Sequence, residues 1–382
     1  MARLAAIAGA AESDLGVTGR SMVELQAQAV TRAVADAGFE LADVDGLATT
    51  GLPRFPAIQL AEYLGLDPGY TDTTFAGGSS FEIMLVHAVR AIEAGDATTI
   101  VISFASNQRS ARSRRLGGVH DPNQPESQFD APFGVLSPVS FYAMAAQRHM
   151  HEFGTTSEQL AEIAVAAREW ALHNPAAYRH EAGPLTVEEV LSSPLISSPL
   201  HALDCCLVTD GGGAVVVTTL ERARAGPHPP VLLLGHGESS THHGMSQTRD
   251  LARSGAIHSG EQAFGRAGLR PADIDVVEVY DSFTITVLLT LEGLGFCEVG
   301  EGGTFVAEGH LRPGGSLPVN TNGGGLSYCH PGMYGVLLLV EAVRQLQGRA
   351  GGRQVPGAET ALCHGTGGIL SSHATVVLGV DR

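Results

Sequence analysis

Residues 37–47 read AGFELADVDGL, and residues 267–277 read AGLRPADIDVV. The two segments align without a gap. Each follows a stretch with the apolar periodicity of an amphipathic helix, at 21–37 and 256–267, and each leads into an apolar, strand-like run. A repeat separated by more than half of the chain indicates a duplicated α/β domain, because the repeats of a solenoid are only about 20–50 residues long.

The parallel between the halves continues downstream of this repeat. A glycine-rich turn, GGSS at 77–80 and GGG at 323–325, precedes a helical pattern and then a strand pattern in each half. The helical patterns span 81–93 and 332–347, and the strand patterns span 99–103 and 359–363. Helices that alternate with strands in this way predict mostly parallel sheets covered by helices.

We therefore predict an α/β protein built of two tandem, βαβ-rich halves, residues 1–225 and residues 226–382. An insertion at about 108–200 interrupts the first half, beginning with a polar, arginine- and proline-rich stretch and continuing with helical patterns. The apolar run 203–220 is predicted to be the strand that closes the first half.

The composition of the 382 residues argues against several classes of protein. A formal charge of −17 disfavours binding to nucleic acid or to anionic membranes, because both are negatively charged. No apolar run approaches the ~20 residues that span a bilayer. Residues 4–11 are apolar but are followed at once by Glu12 and Asp14, so we interpret them as a first strand rather than a signal peptide. Five cysteines, an odd number, predict no disulfide framework and favour a cytoplasmic location.

The chain contains no lysine, since all 23 of its Lys and Arg residues are arginine. A Schiff-base aldolase, a pyridoxal-phosphate enzyme and a P-loop NTPase each require a lysine amine, so all three classes are excluded. The sequence also lacks a C-x-x-C pair and an H-E-x-x-H helix. We therefore predict no metal centre.

Four long segments carry a family resemblance. They read LDCCLVTDGGGAVVVT (203–218), VEVYDSFTITVLLTLEGLGFCEVGEGGTFV (277–306), LPVNTNGGGLSYCHPGMYG (317–335) and VEAVRQLQG (340–348). Together they resemble the thiolase superfamily, in its sterol-carrier-protein-like, or lipid-transfer-protein, branch. The resemblance covers nearly the whole chain. It implies the thiolase fold, with two α/β halves in five layers (α-β-α-β-α), a loop domain inserted in the first half, and a homodimer.

The sequence departs from the working thiolases at the position of their nucleophile. In that family a cysteine stands at the start of a buried helix, where the helix dipole and backbone N–H groups stabilise a thiolate. Here the position falls on Gly78, or on Gly77 after a slip of one residue, and Ser79 follows without an adjacent base. A covalent acyl-enzyme is therefore not expected. We predict instead that this turn binds substrate through its N–H groups, with room for an oxyanion or a bulkier substrate carbon, and that Gly324 and Gly367 also approach the acyl-CoA.

One further family motif is altered, and another is kept with a tyrosine upstream of it. YDSF at 280–283 replaces the thiolase N-E-A-F motif, and the H-P motif is kept at 330–331 with Tyr328 two residues upstream. Cys363 matches the cysteine that acts as acid/base in thiolases. This combination resembles the steroid side-chain aldolases of actinobacterial sterol catabolism, which work with a small OB-fold (DUF35) protein. The resemblance implies retro-aldol cleavage of a β-hydroxy acyl-CoA to a ketone and a shorter acyl-CoA, with a steroid side chain as one candidate for the acyl group.

A retro-aldol cleavage needs a base for the β-hydroxyl, donors that hold the thioester enolate, and an acid for the enolate carbon. The resemblance suggests Tyr328 as the base and Tyr280 as the acid, and the reverse division stays open, as does a purely packing role for both. A free tyrosine has a pKa of about 10, so we predict that His330 lowers the pKa of the base, or holds the thioester oxygen. Asp281 is predicted to orient Tyr280 or His330, or to cap a helix that starts at residue 282. Cys363 either keeps an acid/base role or packs in the core.

Further residues are candidates for binding coenzyme A. His243 and Met245 match the region that approaches coenzyme A in thiolases. The chain has one dense basic cluster, which is a candidate for the coenzyme A phosphates, for the partner protein, or for a solvated loop. It consists of Arg109, Arg112, Arg114 and Arg115. No cofactor is predicted beyond the coenzyme A of the substrate.

Two other functions remain open from the sequence. The first is an acetyl-CoA C-acyltransferase of the sterol-carrier-protein type, with Cys329 or Cys363 as nucleophile. The second is a non-catalytic subunit that binds acyl-CoA and supports a partner. In all three cases we predict acyl-CoA as the ligand, a homodimer, and no nucleic acid or membrane partner.

Overall fold

The computed structural model describes residues 4–113, 121–135 and 137–381, so Arg114 and Arg115 of the basic cluster lie outside the described residues. The strands are β1 Ala5–Glu12, β2 Gly46–Thr49, β3 Tyr70–Asp72, β4 Thr99–Ser106, β5 Leu195–Ser197, β6 Leu200–His201, β7 Gly211–Thr219, β8 Val231–Ser240, β9 Val276–Val279, β10 Thr360–Gly367 and β11 Ser372–Val380. The helices are α1 Met22–Asp36, α2 Pro56–Leu64, α3 Ser80–Ala94, α4 Gln108–Ala111, α5 Pro125–Phe129, α6 Pro138–Phe153, α7 Ser157–Leu172, α8 Val187–Ser192, α9 Leu220–Arg224, α10 Ala256–Ala267, α11 Thr284–Gly293, α12 Gly302–Ala307 and α13 Gly335–Leu346.

Nine of these strands form one sheet in the order β3-β2-β4-β7-β1-β8-β11-β10-β9, while β5 and β6 form a separate pair. The sheet consists of two half-sheets that meet at a narrow seam. There β1 and β8 are paired at a single register position, Ile7 opposite Val231. The strands on one side of the seam come from the first half of the sequence, and those on the other side from the second half. This duplication follows the sequence repeat.

The prediction of mostly parallel sheets was wrong. Among the strands described in the nine-stranded sheet, only the pairings of β2 with β3, of β2 with β4 and of β9 with β10 are parallel, and the other five are antiparallel. One reason is local, because a short turn joins β10 to β11 and a tight turn makes its two strands antiparallel. The other is the long insertion, after which β7 returns antiparallel to both β1 and β4.

The layers follow the predicted α-β-α-β-α order. Helix α1 covers β1, β4 and β7 on the outside of the first half-sheet, and α10 covers β8 and β11 on the outside of the second. Helices α3 and α13 pack against each other and contact strands of both half-sheets, so they form the central layer. Their sequences explain this position, because a helix that is apolar on all sides is stable only when it is buried. In α13, five consecutive residues from Val336 to Val340 are buried.

The segment before β7 corrects another prediction. The strand expected at 203–220 begins only at Gly211. The preceding residues pair with loops instead of with a strand: the N–H groups of Cys206 and Leu207 donate to the carbonyls of Ser282 (2.9 Å) and Gly325 (2.9 Å). The segment therefore lies along the second glycine-rich turn and supports it.

The insertion, which contains α4 to α8, packs on the second half of the chain. Phe141 and Tyr142 of α6 share a core with Phe283 and Leu326. The ring of Tyr142 lies 4.5 Å from that of Phe283 between centroids. The inserted helices thus cover the turn that follows β9. None of the described helices is long and apolar enough to cross a membrane.

Candidate active site

A phenol and an imidazole form a hydrogen-bonded pair at the carboxyl end of β9. Tyr280 follows directly after β9, and its backbone N–H donates to the carbonyl of His364 on β10 (3.0 Å). Its hydroxyl lies 2.9 Å from Nε2 of His330 and 3.3 Å from the carbonyl of Gly332. The backbone of His330 is fixed in turn, because its N–H donates to Oγ1 of Thr209 (3.0 Å). Both rings are therefore held by strand and loop contacts.

The ring of Tyr280 occupies the space where a side chain at Gly78 would lie. A Cβ built on Gly78 would stand 2.0 Å from Cε2 of Tyr280 and 2.5 Å from the carbonyl oxygen of Thr366. The expected room for an oxyanion or a bulkier substrate carbon at this point is therefore absent, because the phenol fills it. Gly77 is equally constrained, with a φ of +68° and a Cβ position 2.8 Å from the N of Gly368. Because Gly77 and Gly78 are both glycines, neither places a side chain at the start of α3.

The electrostatic state of the pair follows from its burial. Burial lowers the pKa of His330 to about 4, so the imidazole is neutral near pH 7. Burial also raises the pKa of Tyr280 well above its usual value, so the phenol keeps its proton. At rest the pair is a protonated phenol next to a neutral imidazole. This arrangement allows a proton to pass between the two rings when charge develops on a substrate.

Tyr328 does not join this pair. Its hydroxyl donates to Oε1 of Glu12 (2.8 Å), whose carboxylate is also bound by both terminal nitrogens of Arg344. The expected activation of Tyr328 by His330 is therefore not found, since His330 contacts Tyr280 instead. The reason is local backbone geometry. Residues Gly324–Tyr328 form a π-helical turn and Cys329 is extended, so the Y-x-H spacing does not place both side chains on one side. Burial raises the pKa of Tyr328 well above its usual value.

Asp281 holds the second glycine-rich turn. Its carboxylate accepts hydrogen bonds from the N–H groups of Gly325 (2.6 Å) and Leu326 (3.1 Å). A Cβ on Gly324 would lie only 2.1 Å from Oδ2 of Asp281, which explains the glycine there. The predicted cap of a helix at residue 282 was wrong, because α11 begins at Thr284. Burial raises the pKa of Asp281 to about 7, against the effect of these N–H donors.

All five cysteines are free thiols that stay protonated at neutral pH. Cys363 is fully buried, and its Sγ lies 3.6 Å from the carbonyl of Leu338. Cys329 is also fully buried, with its Sγ 3.1 Å from Oγ1 of Thr209. Burial raises the pKa of Cys329 to about 12 and that of Cys363 well above its usual value. A nucleophilic cysteine needs a lowered pKa, so these two thiols are poorly suited to acyl transfer. The other three, Cys205, Cys206 and Cys297, are half-buried.

Ser79 and Gly367 serve the packing of α3 on β10. The hydroxyl of Ser79 donates to the carbonyl of Ala76 (2.8 Å) and pairs with Oγ of Ser372 (2.8 Å). A Cβ on Gly367 would lie 1.6 Å from the carbonyl oxygen of Ala76. Both residues therefore bring the start of α3 against the strand, and their predicted contact with substrate stays a prediction.

Two cavities contain residues that the sequence proposed for binding coenzyme A. The larger has a volume of about 610 Å³ and apolar walls that include the predicted Met245. The smaller, of about 230 Å³, includes the predicted Arg109. His243 is exposed and does not line either of these two cavities, and Arg112 lies exposed at the end of α4. Within the described residues, no cluster of His, Cys, Asp and Glu is arranged to hold a metal ion.

Sequence reasoning missed Glu82, a fully buried carboxyl in the first turn of α3. Neither of its oxygens has a hydrogen-bond partner among the described residues. Room for it comes from two glycines, since a Cβ on Gly365 or Gly335 would lie 2.2 or 2.9 Å from its Oε2. The signal was available, because Glu82 is the one acidic residue near the start of an otherwise apolar helical pattern. Glu12, an acid at the end of an apolar strand, gave a similar signal.

Fold and site together define a thiolase-fold enzyme with a buried phenol–imidazole pair, whose phenol ring packs against Gly78. Residues 237–380 match the family model described as thiolase C-terminal domain-like. The chain is 38% identical to the steroid side-chain-cleaving aldolase of Thermomonospora curvata, over 99% of this chain and 98% of that protein. It is 37% identical to the 17-hydroxy-3-oxo-4-pregnene-20-carboxyl-CoA lyase of Mycobacterium tuberculosis, over 90% of this chain and 92% of that protein.

Comparison with a solved structure also indicates similarity to an aldolase of this kind. The chain superimposes on the Ltp2-ChsH2(DUF35) aldolase with a TM-score of 0.90 and 36% sequence identity, covering 99% of this chain and 98% of that one. The protein therefore belongs to the thiolase superfamily and, within it, to the branch of the steroid side-chain-cleaving aldolases. Its enzyme class is that of a thiolase-like carbon–carbon lyase.

Proposed function

We propose that this enzyme cleaves a β-hydroxy acyl-CoA with a tertiary β-carbon by a retro-aldol reaction, releasing a ketone and a shorter acyl-CoA. The observation that carries the proposal is the Tyr280–His330 hydrogen bond, with the Tyr280 ring beside Gly78, where the resemblance expects the thiolase nucleophile. The names of the relatives support a steroid side chain as the acyl group.

In the proposed reaction, Tyr280 is the proton-transfer group that meets the substrate. As its hydroxyl proton moves to Nε2 of His330, its oxygen takes the proton of the substrate β-hydroxyl. The bond between the α- and β-carbons then breaks, the β-carbon becomes a ketone, and the electron pair passes to the thioester enolate. Tyr280 then gives the proton that it took from the substrate to the α-carbon, and His330 returns its proton to the oxygen of Tyr280, which restores the neutral pair. In this proposal the pair takes the role of base that the resemblance suggests for Tyr328.

Tyr328 has a positioning role in this proposal. Its hydroxyl is bonded to Glu12, and its carbonyl accepts a hydrogen bond from the N–H of Tyr178 (2.9 Å). These contacts fix the end of the turn that leads to His330. Asp281 fixes the start of the same turn. Both residues act on the reaction through the placement of His330.

The larger cavity is the proposed site of the acyl group. Its walls carry mostly aromatic and aliphatic side chains, which suit a multi-ring apolar group. They are Phe129, Phe133, Val135, Phe141, Met144, Met245 and Leu251, together with Asp130, Arg148, Ser246, Thr248, Arg249 and Asp250. Phe141 in its wall links the cavity to the turn after β9, because the ring of the neighbouring Tyr142 lies 4.5 Å from that of Phe283 between centroids.

We further propose a homodimer that works with a small OB-fold protein. Among the described strands β3 lies at the edge of the sheet, and Phe55, Ile58 and Phe75 nearby are exposed, which supports a subunit contact on this side. The OB-fold partner is supported by the DUF35 component named for the solved relative. Light scattering of the parent and of an Ile58→Glu, Phe75→Glu variant tests the dimer, whose mass should fall by half in the variant.

The reaction is tested with a tertiary β-hydroxy acyl-CoA, in the presence and absence of the OB-fold protein encoded nearest to this chain. We expect mass spectrometry to show the ketone and the shorter acyl-CoA in equal amounts, with no acylated cysteine. If neither product appears with the partner present, the proposal is wrong. If a cysteine becomes acylated during turnover, an acyltransferase mechanism replaces it.

A further inference from the structure

A group of polar side chains lies buried between β9, α13 and the segment that leads into the second glycine-rich turn. Glu278 belongs to β9, two residues before Tyr280, and Thr321 lies two residues before the first glycine of that turn. Glu341 belongs to α13. Glu278, Thr321 and Glu341 are each at most 1% exposed, so their polar atoms depend on one another for hydrogen bonds.

The hydroxyl of Thr321 lies between two carboxyl groups. Its Oγ1 is 2.8 Å from Oε1 of Glu278 and 2.7 Å from Oε1 of Glu341. The same Oγ1 accepts a hydrogen bond from Nε2 of Gln345 (2.9 Å), whose amide oxygen accepts the N–H of Val355 (2.9 Å). A hydroxyl group has a single proton, so it can donate to one of the two carboxyl groups and not to both.

Glu341 is the carboxyl group that receives this proton. Arg353 beyond α13 donates from Nε to Oε1 of Glu341 (2.8 Å) and from Nη2 to Oε2 (2.8 Å), a bidentate pair that requires an ionised carboxylate. Glu278 forms no ion pair within the described part of the chain. Its Oε1 accepts the N–H of Thr321 (3.1 Å), and its buried Oε2 has no hydrogen-bond partner there. The 2.8 Å contact between Glu278 and the Thr321 hydroxyl is therefore a hydrogen bond only if Glu278 itself carries a proton.

We propose that Glu278 is a positioning residue that works as a neutral acid, and that its proton joins β9 to the segment before the second glycine-rich turn. The inference rests on the proposed retro-aldol reaction and adds a residue to it. Glu278 donates to Thr321, and Thr321 donates to Glu341, so each contact of the hydroxyl has one donor and one acceptor. An ionised Glu278 would compete with Glu341 for the one hydroxyl proton, and one buried carboxylate would lose a donor, which is costly.

The network acts on the acid/base pair through both of its supports. Glu278 lies in the strand whose end places Tyr280. Thr321 begins the segment that continues through the glycine-rich turn to His330. The backbones of β9 and this segment are also bridged next to the network. Loss of the proton on Glu278 therefore loosens the side-chain link between the two supports that hold Tyr280 2.9 Å from His330.

The proposal also predicts a loss of activity at alkaline pH. Titratable and charged groups of the surrounding elements interact with Glu278. They are Glu341 of α13, Arg353 beyond it, Cys363 of β10 and Tyr334 before α13. Burial, followed by the charge of Glu341, raises the pKa of Glu278 well above its ordinary value. Glu278 therefore keeps its proton at neutral pH, and the turnover number should fall as the proton is lost at higher pH.

Infrared spectroscopy of the full chain at neutral pH tests the protonation directly. The difference spectrum of the parent minus Glu278→Gln should contain the C=O stretch of a protonated carboxyl group, which shifts in D2O. The spectrum of the parent minus Glu341→Gln should instead contain the stretches of an ionised carboxylate. Glu341→Gln is the matched control, because the same acid-to-amide change removes the ion pair with Arg353. If the band lost in Glu278→Gln is that of an ionised carboxylate, the inference is wrong.

Two variants of Thr321 test the positioning role. Thr321→Val removes the hydroxyl at nearly constant size, and Thr321→Ser keeps it. We expect Thr321→Val to lower the turnover number about tenfold with little change in KM, the effect of one lost buried hydrogen bond. Amide hydrogen exchange in residues 321–330 should become faster in Thr321→Val, and Thr321→Ser should restore both properties. Glu278→Gln should keep its activity at alkaline pH where the parent loses it, because an amide donates to Thr321 and has no proton to release.

Equal turnover and equal exchange in Thr321→Val and Thr321→Ser would show that the network does not position the turn. An alkaline loss of activity that is the same in Glu278→Gln and the parent would assign that loss to another group and contradict the role of the Glu278 proton. Infrared spectra and exchange rates do not depend on turnover. If both respond as expected but the parent cleaves no substrate, the proposed reaction is wrong and the network stands.

Discussion

The proton on Tyr280 determines whether the proposed chemistry is possible. Replacing Tyr280 with phenylalanine removes the hydroxyl that lies 2.9 Å from His330 but keeps the ring that fills the space beside Gly78. We expect the turnover number to fall on the order of 10²- to 10⁴-fold, the usual contribution of a positioned acid/base group. Stability should change little, since the packing is retained. Steady-state kinetics and thermal unfolding measure the two effects.

Tyr328→Phe is the matched comparison for that variant. It also removes one buried phenol hydroxyl, but this hydroxyl is bonded to Glu12 and not to His330. We expect a much smaller loss of turnover and a measurable loss of stability. If Tyr328→Phe lowers the rate as much as Tyr280→Phe, the role of base returns to Tyr328. Tyr63→Phe, at an exposed position on α2, controls for the substitution itself.

Glu82 gives the stability of the protein a specific pH dependence. Burial raises its pKa from 4.5 to about 8, so between these values the folded state keeps a proton that the unfolded state releases. The folded state therefore loses stability as the pH rises from about 4.5 to 8, by about 1.4 kcal/mol for each pH unit. Glu82→Gln has no proton to release, so this part of the slope should disappear. Urea unfolding at pH 5, 6.5 and 8 measures it.

The control for Glu82→Gln is Glu93→Gln, at an exposed position on the same helix. It should follow the parent at every pH. Since Glu82 is predicted to be neutral below pH 8, its amide variant should also equal or exceed the parent in stability at pH 8. Parallel unfolding curves for parent and Glu82→Gln would show that Glu82 is ionised or solvated in the folded state.

At the scale of elements, the sequence predicted helices better than the turns that place the site. The patterns at 81–93 and 332–347 match α3 and α13, because continuous apolar sequence and flanking glycines mark the ends of a buried helix. The π-helical turn at Gly324–Tyr328 gave no such signal, since it depends on the carboxylate of Asp281 from another part of the chain. The separation of Tyr328 from His330 follows from this turn and was therefore missed.

The start of α3 should not tolerate a side chain at Gly78. A methyl group there meets the Tyr280 ring at 2.0 Å and the carbonyl oxygen of Thr366 at 2.5 Å, and the second of these is backbone that moves little. We expect Gly78→Ala to cost at least about 3 kcal/mol, the upper end for overpacking a core, and to abolish cleavage. Thermal unfolding and product formation measure both effects.

Gly265→Ala is the matched control, because Gly265 lies in α10 with nothing within 4 Å of its Cβ position. In a helix this change should stabilise by up to about 1 kcal/mol. A Gly78→Ala protein as stable as the parent would mean that Tyr280 moves aside readily. The ring would then not be fixed in the position that the proposed proton transfer requires.

For the whole molecule, the repeat revealed the two halves but gave no account of what joins them. Between β1 and β8 the half-sheets share one register position. Ion pairs add to this seam: Glu12 of β1 binds Arg344 of α13, and Asp36 of α1 binds Arg349 beyond α13. These ion pairs could not be predicted from the sequence. Each partner lies in or beside a strand or helix whose apolar pattern does not indicate a contact with a distant charged residue.

The Glu12–Arg344 pair should stabilise the whole molecule and also hold Tyr328. Removing one partner of a fully buried pair costs about 3–5 kcal/mol, and because both side chains here keep some exposure we expect roughly 2–4 kcal/mol for Glu12→Gln or Arg344→Met. The double variant should lose less than the sum, since neither charge is then left alone. Asp43→Asn, which breaks the more exposed pair with Arg222, should leave the unfolding free energy unchanged within error. Additive losses would show that the two charges are solvated independently, and the halves would then be joined by apolar packing alone.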